Sequence, residues 1–188
     1  MLVRDSIRRP KQSNVLGENA APMQNGGRQT ALLVRDAANS LSVIRDLEAT
    51  DVVLLLSPLV PQVSGDLDDT SDPFECFGRA LEPRHSRIRH KPYTNSIGIT
   101  STHVAFIRLS KVIIIVVNGI EISGQTPHID AAHVTRVAAG DDKPVIIVVT
   151  DCSSETWQRL EVFPTVIQSR DYSRASLETT VSVIFGEI

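Results

Sequence analysis

The chain has 188 residues, of which 41% are hydrophobic and 22% are charged, and its formal net charge at neutral pH is −3. This length and apolar content suffice for one domain with a buried core. The near-balanced charge argues against nucleic-acid and membrane-surface partners, because both need a concentrated basic face.

The sequence predicts a soluble, cytoplasmic protein. It has no run of about 20 apolar residues and no apolar region behind its N-terminal arginines. Its two cysteines, Cys76 and Cys152, have neither the spacing of a disulfide framework nor that of a zinc site, so we expect free thiols in a reducing compartment.

The first part of the chain is predicted to lie outside the folded domain. Residues 1–28 are polar, contain Pro and Gly, and show neither the helical nor the strand period, which predicts a flexible tail or a linker remnant before a domain at 29–188. From Thr30 to about Leu47 the pattern predicts an amphipathic helix. Its apolar face comprises Leu33, Ala37, Leu41 and Ile44.

Two unbroken β-branched runs predict the sheet. Residues 111–119 (KVIIIVVNG) and 143–151 (KPVIIVVTD) each start with Lys and stop at polar residues. A strand with one wet face would alternate apolar and polar side chains, whereas a strand covered on both faces is continuously apolar. Three further strands are predicted at 51–56, 88–93 and 165–168, the first ending before Ser57-Pro58 because proline lacks a ladder donor.

Helices are predicted between these strands. They cover 74–81 after Asp72-Pro73, a segment from Ser101 or Thr102 to Leu109, a segment from Pro127 to near Gly140, a short helix after Ser153 or Ser154, and a last helix from Ser173 to Gly186. The alternation favours an α/β fold with an open, doubly wound, mostly parallel sheet of about five strands and helices on both faces, a flavodoxin-like sandwich.

The order of these pieces resembles the C-terminal α/β domain of glycoside hydrolase family 3, in its β-N-acetylglucosaminidase-like branch. Arg35-Asp36-Ala37-Ala38 with residues 40–46 is similar to the ARDAxxxSxxLLRN helix that opens this domain in the family. Residues 182–187 (SVIFGE) look like its L-F-G-E ending, and Tyr172 like a tyrosine ahead of its last helix. The resemblance covers about residues 29–187.

The resemblance implies carbohydrate metabolism without a complete active site. In the family the nucleophile is an Asp on a separate (β/α)8 barrel, and the acid/base is supplied by a barrel loop or, in other branches, by a Glu of the C-terminal domain. The context of this Glu is not matched at Glu75, Glu82, Glu121, Glu155, Glu161, Glu178 or Glu187. We therefore expect an isolated or truncated C-terminal domain that uses no cofactor, is inactive alone, and meets carbohydrate only through a barrel domain or chain.

The carboxyl ends of the predicted strands are the candidate site. In open α/β sheets ligands bind beyond these ends, which here display Ser57, Asn118, Asp151 and Ser169 as a ligand-binding or interface edge. A purely structural interpretation is also open, with Asn118-Gly119 as a turn and Asp151 and Ser153 as helix caps.

Other sites find less support. An EF-type calcium loop needs Gly and Glu where this sequence has Ser71 and Phe77, so the acidic loop of Asp66, Asp68, Asp69 and Asp72 is not predicted to bind calcium. The five histidines include no zinc-protease pair, so no zinc site is predicted either. Most histidines are expected at the surface. The basic stretch Arg84, Arg87, Arg89, His90 and Lys91 is typical of a protected edge strand rather than a nucleic-acid patch.

Two alternatives to the hydrolase-domain interpretation remain. One is a stand-alone flavodoxin-like module that binds a small ligand or a protein at the strand-end crevice. The other is a thiol-dependent enzyme built on Cys152, although no His and acid pattern accompanies this cysteine. The sequence also lacks the G-x-S-x-G, P-loop and G-x-G-x-x-G motifs of serine hydrolases, nucleotide triphosphatases and dinucleotide-binding proteins.

Overall fold

The computed structural model describes residues 30–60, 72–119, 128–151 and 153–188. In these ranges strands and helices alternate, as the sequence predicts. The strands are β1 Ala31–Asp36, β2 Val53–Pro58, β3 Ile88–Tyr93, β4 Val112–Asn118, β5 Val145–Thr150 and β6 Thr165–Ser169. The helices are α1 Ser40–Arg45, α2 Glu75–Leu81, α3 Ser101–Leu109, α4 His128–Ala139, α5 Ser154–Arg159 and α6 Arg174–Phe185, and a 3₁₀ turn, Leu160–Val162, follows α5.

The described strands form one sheet in the order β1-β6-β5-β4-β2-β3. Strands β2 to β6 run parallel, and β1 runs antiparallel to β6 at one edge. The five parallel strands have the 2-1-3-4-5 order of flavodoxin-like folds. The predicted open, mostly parallel sheet is confirmed, but it has six strands rather than about five.

The extra strand is β1, where the sequence predicts a helix from Thr30. Only the short segment Ser40–Arg45 is helical. Pairing with β6 holds the preceding residues extended, and this long-range ladder overrides the local helical spacing of apolar side chains. Arg35-Asp36-Ala37-Ala38, assigned by resemblance to an opening helix, therefore lies at the end of a strand and in the turn that follows it.

Strand β2 also extends further than predicted. Pro58 belongs to the strand and pairs with Tyr93 of β3. The missing proline donor is tolerated because the next amide, Leu59 N, donates to Tyr93 O at 2.9 Å, and because the pairing of β2 with β4 runs only from Val53 to Leu56.

The core has two layers, one on each face of the sheet. Side chains of β2 alternate between them, with Val53 and Leu55 facing α1, α2 and α6, and Leu54 and Leu56 facing α3, α4 and α5. Every residue of β4 and β5 is buried, as expected for strands covered on both faces.

The predicted caps are confirmed for α5 and α6, whereas α2 begins at Glu75 with Phe74 rather than Asp72 at its N-cap position. Ser153 and Ser173 accept hydrogen bonds from the first turns of α5 and α6, and Gly186 ends α6 in the left-handed conformation. Helix α3 is capped by Thr100 rather than by Ser101 or Thr102. The Thr100 hydroxyl accepts a hydrogen bond from His103 N, and His103 Nδ1 accepts one from Thr100 N.

Within the described ranges, none of the helices combines the length and the apolar character needed to span a bilayer.

Candidate functional site at the carboxyl edge

The four predicted site residues lie at the same edge of the sheet. Because β2, β4, β5 and β6 are parallel, Ser57, Asn118, Asp151 and Ser169 all lie at carboxyl ends. The register pairs Asn118 with Thr150, immediately before Asp151. Asn118 is the last residue of β4 rather than part of a turn, and Gly119 N continues the ladder by donating to Thr150 O at 2.9 Å.

These residues differ in exposure. Ser57, Asn118 and Ser169 are 0%, 4% and 1% exposed, whereas Asp151 is exposed. Three of the four side chains therefore lie beneath the edge, and only Asp151 is openly available to a partner. That they form a binding site stays a prediction.

Ser57 contacts a histidine that the sequence did not link to it, and a carboxylate lies near the same histidine. Its Oγ lies 2.6 Å from His90 Nε2 on β3, and Asp72 Oδ2, before α2, lies 3.7 Å from the same nitrogen. Burial lowers the pKa of His90, although the negative charges of Asp72 and Glu75 act in the opposite direction. The ring is thus held neutral at neutral pH.

This Ser–His–Asp group is not a nucleophilic triad. In a triad the serine and the acid bind opposite ring nitrogens, so that the acid orients the base. Here both Ser57 and Asp72 approach Nε2, and Ser57 is fully buried. The hydrogen bond between Ser57 and His90 instead joins β2 to β3, and Asp72 lies close to the same ring.

A second polar group lies at the end of β4. His128, the first residue of α4, shares a hydrogen bond of 2.9 Å between its Nδ1 and Asn118 O. Its ring stands edge-on to Tyr93 with centroids 5.9 Å apart, and the Tyr93 hydroxyl donates to Val116 O at 2.8 Å. Burial lowers the pKa of His128 and raises that of Tyr93.

Two of the five histidines are buried and the other three are half-buried, so the expectation that most are surface residues holds only in part. His128 is 5% exposed and His85 is 7% exposed, with His85 Nε2 lying 2.7 Å from Asp51 O. The sequence around these two histidines does not indicate their burial, because each is covered by elements that are distant along the chain.

An acidic pair lies where β5 and β6 end. Burial, and then the charge of Asp171, raise the pKa of Asp151, whose backbone is left-handed with φ of 48°. Partial burial alone would raise the pKa of Asp171, but hydrogen bonds from Ser173 and Ser176 outweigh it and lower this pKa. Ser169 Oγ donates to Asp171 O at 2.8 Å, which makes Asp171 a member of this edge that the sequence did not indicate.

The remaining sequence candidates divide between described and undescribed residues. Asp66, Asp68, Asp69 and Cys152 lie outside the described residues. The Cys76 thiol is free, and burial raises its pKa. Among the described residues, no group of three His, Cys, Asp or Glu side chains is arranged to hold a metal ion. Strand β3 is an edge strand, as its basic residues predict.

Comparison with known proteins gives structural matches only. No family model and no curated protein matches the chain. A fungal multi-domain family 3 β-N-acetylglucosaminidase with a GCN5-related glucosamine N-acetyltransferase region matches with a TM-score of 0.64 at 20% identity, over 84% of this chain and 16% of its own. A family 3 β-N-acetylglucosaminidase from a Paenibacillus species matches with a TM-score of 0.58 at 17% identity, over 84% and 28%. The fold is that of the C-terminal region of family 3 glycoside hydrolases.

A β-glucosidase from Listeria innocua also matches, with a TM-score of 0.60 at 12% identity over 84% of this chain and 24% of its own. The chain thus spans about a sixth to less than a third of the length of these proteins. In this fold, Ser57, Asn118, Asp151 and Ser169 lie at the carboxyl ends of parallel strands. The antiparallel β1 is the outer strand of the sheet, next to β6.

Proposed function

We propose that this chain is a C-terminal domain of a family 3 glycoside hydrolase, located in the cytoplasm, that does not hydrolyse glycosides by itself. Its connection to carbohydrate metabolism would then depend on a (β/α)8 barrel domain or chain. The observation that supports this proposal is the asymmetry of the structural matches, which extend over 84% of this chain but over only 16%, 28% and 24% of the three glycosidases.

The carboxylates at the candidate edge also fit a non-catalytic domain. Retaining hydrolysis needs two carboxyl groups about 5–5.5 Å apart that flank the scissile bond, one of them free to act as nucleophile. The pair Asp151 and Asp171 has divergent pKa shifts, a pattern found in acid/base pairs. However, Asp171 Oδ1 accepts from Ser173 N at 3.0 Å and from Ser173 Oγ at 2.6 Å, so it serves the start of α6.

The test is an assay of the purified full chain with aryl β-N-acetylglucosaminide and aryl β-glucoside. We expect product release at the buffer rate, and the same rate for Asp151→Asn, because under this proposal the nucleophile belongs to the barrel. Turnover above the buffer rate that Asp151→Asn abolishes would refute the proposal and assign the activity to this edge.

A second candidate function is a stand-alone flavodoxin-like module for a small ligand. Three buried polar atoms at this edge, His128 Nε2, Thr150 Oγ1 and Asp72 Oδ2, have no hydrogen-bond partner among the described residues. Buried polar atoms are normally paired, so a polar ligand would satisfy them. The gene neighbourhood separates the two functions, since a barrel-encoding frame directly upstream supports the hydrolase domain and an intact promoter without such a frame supports the module.

A further inference from the structure

The two edges of the sheet are protected to very different degrees. At one edge, β3 carries Arg89, Lys91 and Pro92, and Arg89 and Pro92 are exposed. Charged side chains and proline on an edge strand discourage pairing with another chain. The β3 edge is therefore protected against pairing with a strand of another chain.

The opposite edge, β1, presents three consecutive apolar side chains. Leu32, Leu33 and Val34 are 50%, 41% and 44% exposed. A bulge between Leu33 and Arg35 interrupts the register with β6, so regular pairing on the free side is limited to the residues before it.

The two charged residues of β1, Arg35 and Asp36, do not protect this edge, because their side chains bind backbone groups within the chain. Arg35 donates from Nε to Phe163 O at 3.0 Å and from Nη2 to Leu160 O at 2.9 Å. The Asp36 carboxylate accepts from Ser40 N at 2.8 Å and from Leu41 N at 3.2 Å. An apolar edge strand without outward charges is a template for strand addition.

We infer that a second copy of this chain covers β1, with the two β1 strands pairing antiparallel about a two-fold axis to form one continuous sheet. Such an interface must be self-complementary, since each contact occurs twice. The inference does not depend on the function proposed above, because it leaves the carboxyl edge free.

The charges at the two ends of β1 provide this complementarity. Arg170 lies at the start of the strand, where its backbone N donates to Thr30 O at 2.8 Å. Glu161 lies at the other end, next to Leu160, whose carbonyl accepts from Arg35. Both side chains belong to exposed residues. An antiparallel arrangement places Arg170 of each copy near Glu161 of the other, and Val162, 69% exposed, lies beside this contact.

The expected dimer is weak. A single pair of short edge strands buries far less than the roughly 1,600 Å² of a standard stable interface. We therefore expect a concentration-dependent monomer–dimer equilibrium that is weakened by salt, because exposed ion pairs are screened.

Sedimentation velocity of the full chain from low to high micromolar concentration tests the inference. We expect reversible dimerisation that Leu32→Lys abolishes, because a charge would then lie in the apolar contact. The matched control is Leu109→Lys, on α3 at 75% exposure, which should leave the dimer unchanged. A chain that stays monomeric throughout would overturn the inference, whether residues 1–29 or another protein covers β1. A dimer that survives Leu32→Lys would also overturn it.

A charge exchange provides an independent test that does not disturb the apolar contact. Glu161→Arg should weaken the dimer by about three- to tenfold, because the two-fold axis removes two exposed ion pairs at once. Adding Arg170→Glu should restore it. Arg170 also lies near Asp171, so Arg170→Glu is interpreted only within the double variant. Failure of the double variant to recover, while circular dichroism shows both variants folded, would contradict the antiparallel arrangement.

Discussion

At the residue scale, single polar side chains decide where helices begin. Asp36 ends β1, and its carboxylate accepts from Ser40 N and Leu41 N at the start of α1 and from Thr165 Oγ1 of β6 at 2.8 Å. The residue directly before α1, Asn39, is left-handed and makes no side-chain cap. A side chain four residues away from the helix start therefore supplies the cap and joins three elements.

Asp36→Ala should lower the free energy of unfolding by about 1–2 kcal/mol, because helix-capping oxygens contribute this much and two amides would lose their acceptor. Urea unfolding monitored by circular dichroism measures the change. The control Asp46→Ala, at the exposed end of α1, should change it by less than about 0.5 kcal/mol. Equal effects of the two substitutions would show that Asp36 is not a cap.

The same scale shows where reasoning from sequence stops. Ser57 is a candidate from the sequence because it ends an apolar run, but its partner His90 and the nearby Asp72 are not linked to it there. They come together because the register pairs Leu55 with His90, and because α2 lies against β3, where a Cβ at Gly78 would be 3.8 Å from His90 Cβ. Neither the register nor the helix position is encoded in local spacing.

At the element scale, helix ends are held by basic side chains from neighbouring elements. Arg45 of α1 donates from Nε to Ile184 O at 2.8 Å and from Nη2 to Val183 O at 3.1 Å, both in the last turn of α6. Lys143 Nζ donates to Ile107 O, Arg108 O and Ser110 O at the end of α3. These contacts add donors to carbonyls in the last turns of α6 and α3, where amide donors four residues on run out.

Gly186→Ala should destabilise the protein more than Gly140→Ala. Both glycines end helices with φ near +70°, at 72° and 73°, so each alanine costs about 1 kcal/mol of backbone strain. A Cβ at Gly186 would lie 2.9 Å from Arg45 Cζ, whereas nothing lies within 4 Å of one at Gly140. The guanidinium can move aside, but its two hydrogen bonds would be lost, which adds about 1–2 kcal/mol.

The difference between the two glycine variants is measured by urea unfolding under identical conditions. Because the backbone strain is common to both, the difference isolates the Arg45 contact. Equal destabilisation would mean that Arg45 contributes nothing to the end of α6.

Strands show the same contrast between local and long-range information. The runs that became β4 and β5 were predicted within one or two residues because burial on both faces requires continuous apolar side chains. Strand β1 was predicted as a helix because an edge strand buries little and its apolar residues also fit the helical period.

At the scale of the whole molecule, the half-buried His90 and the buried His128 make stability depend on pH. Burial lowers the pKa of His90 and that of His128, while both rings regain an ordinary pKa of about 6.5 in the unfolded chain. The unfolded state therefore binds protons more readily, so their contribution to stability is full above about pH 6.5 and is lost as the pH falls. Asp151, with a pKa raised by burial, acts in the opposite sense in more acidic solution.

The free energy of unfolding should accordingly decrease between pH 7 and pH 5. The charged groups that act on His90 are Asp72, Glu75 and Lys91. The histidines should dominate the change, because the ordinary pKa of a histidine, about 6.5, lies inside this pH range. His90→Gln and His128→Gln should each flatten the profile, and the double variant should flatten it most. Urea midpoints measured at several pH values test this, and a double variant with the wild-type slope would contradict it.

Local patterns in the sequence are sufficient to predict the class of fold, the two central strands, the basic edge strand β3 and the end of the sheet at which the candidate residues lie. They are sufficient because burial on both faces and parallel order leave a continuous mark on each segment. The tertiary structure alone decided that residues 31–36 are a strand, that Ser57 contacts His90, that His128 is buried, and that the apolar edge β1 lacks outward charges. These features depend on which distant segments pair and on which face each side chain points, and no local pattern carries that information.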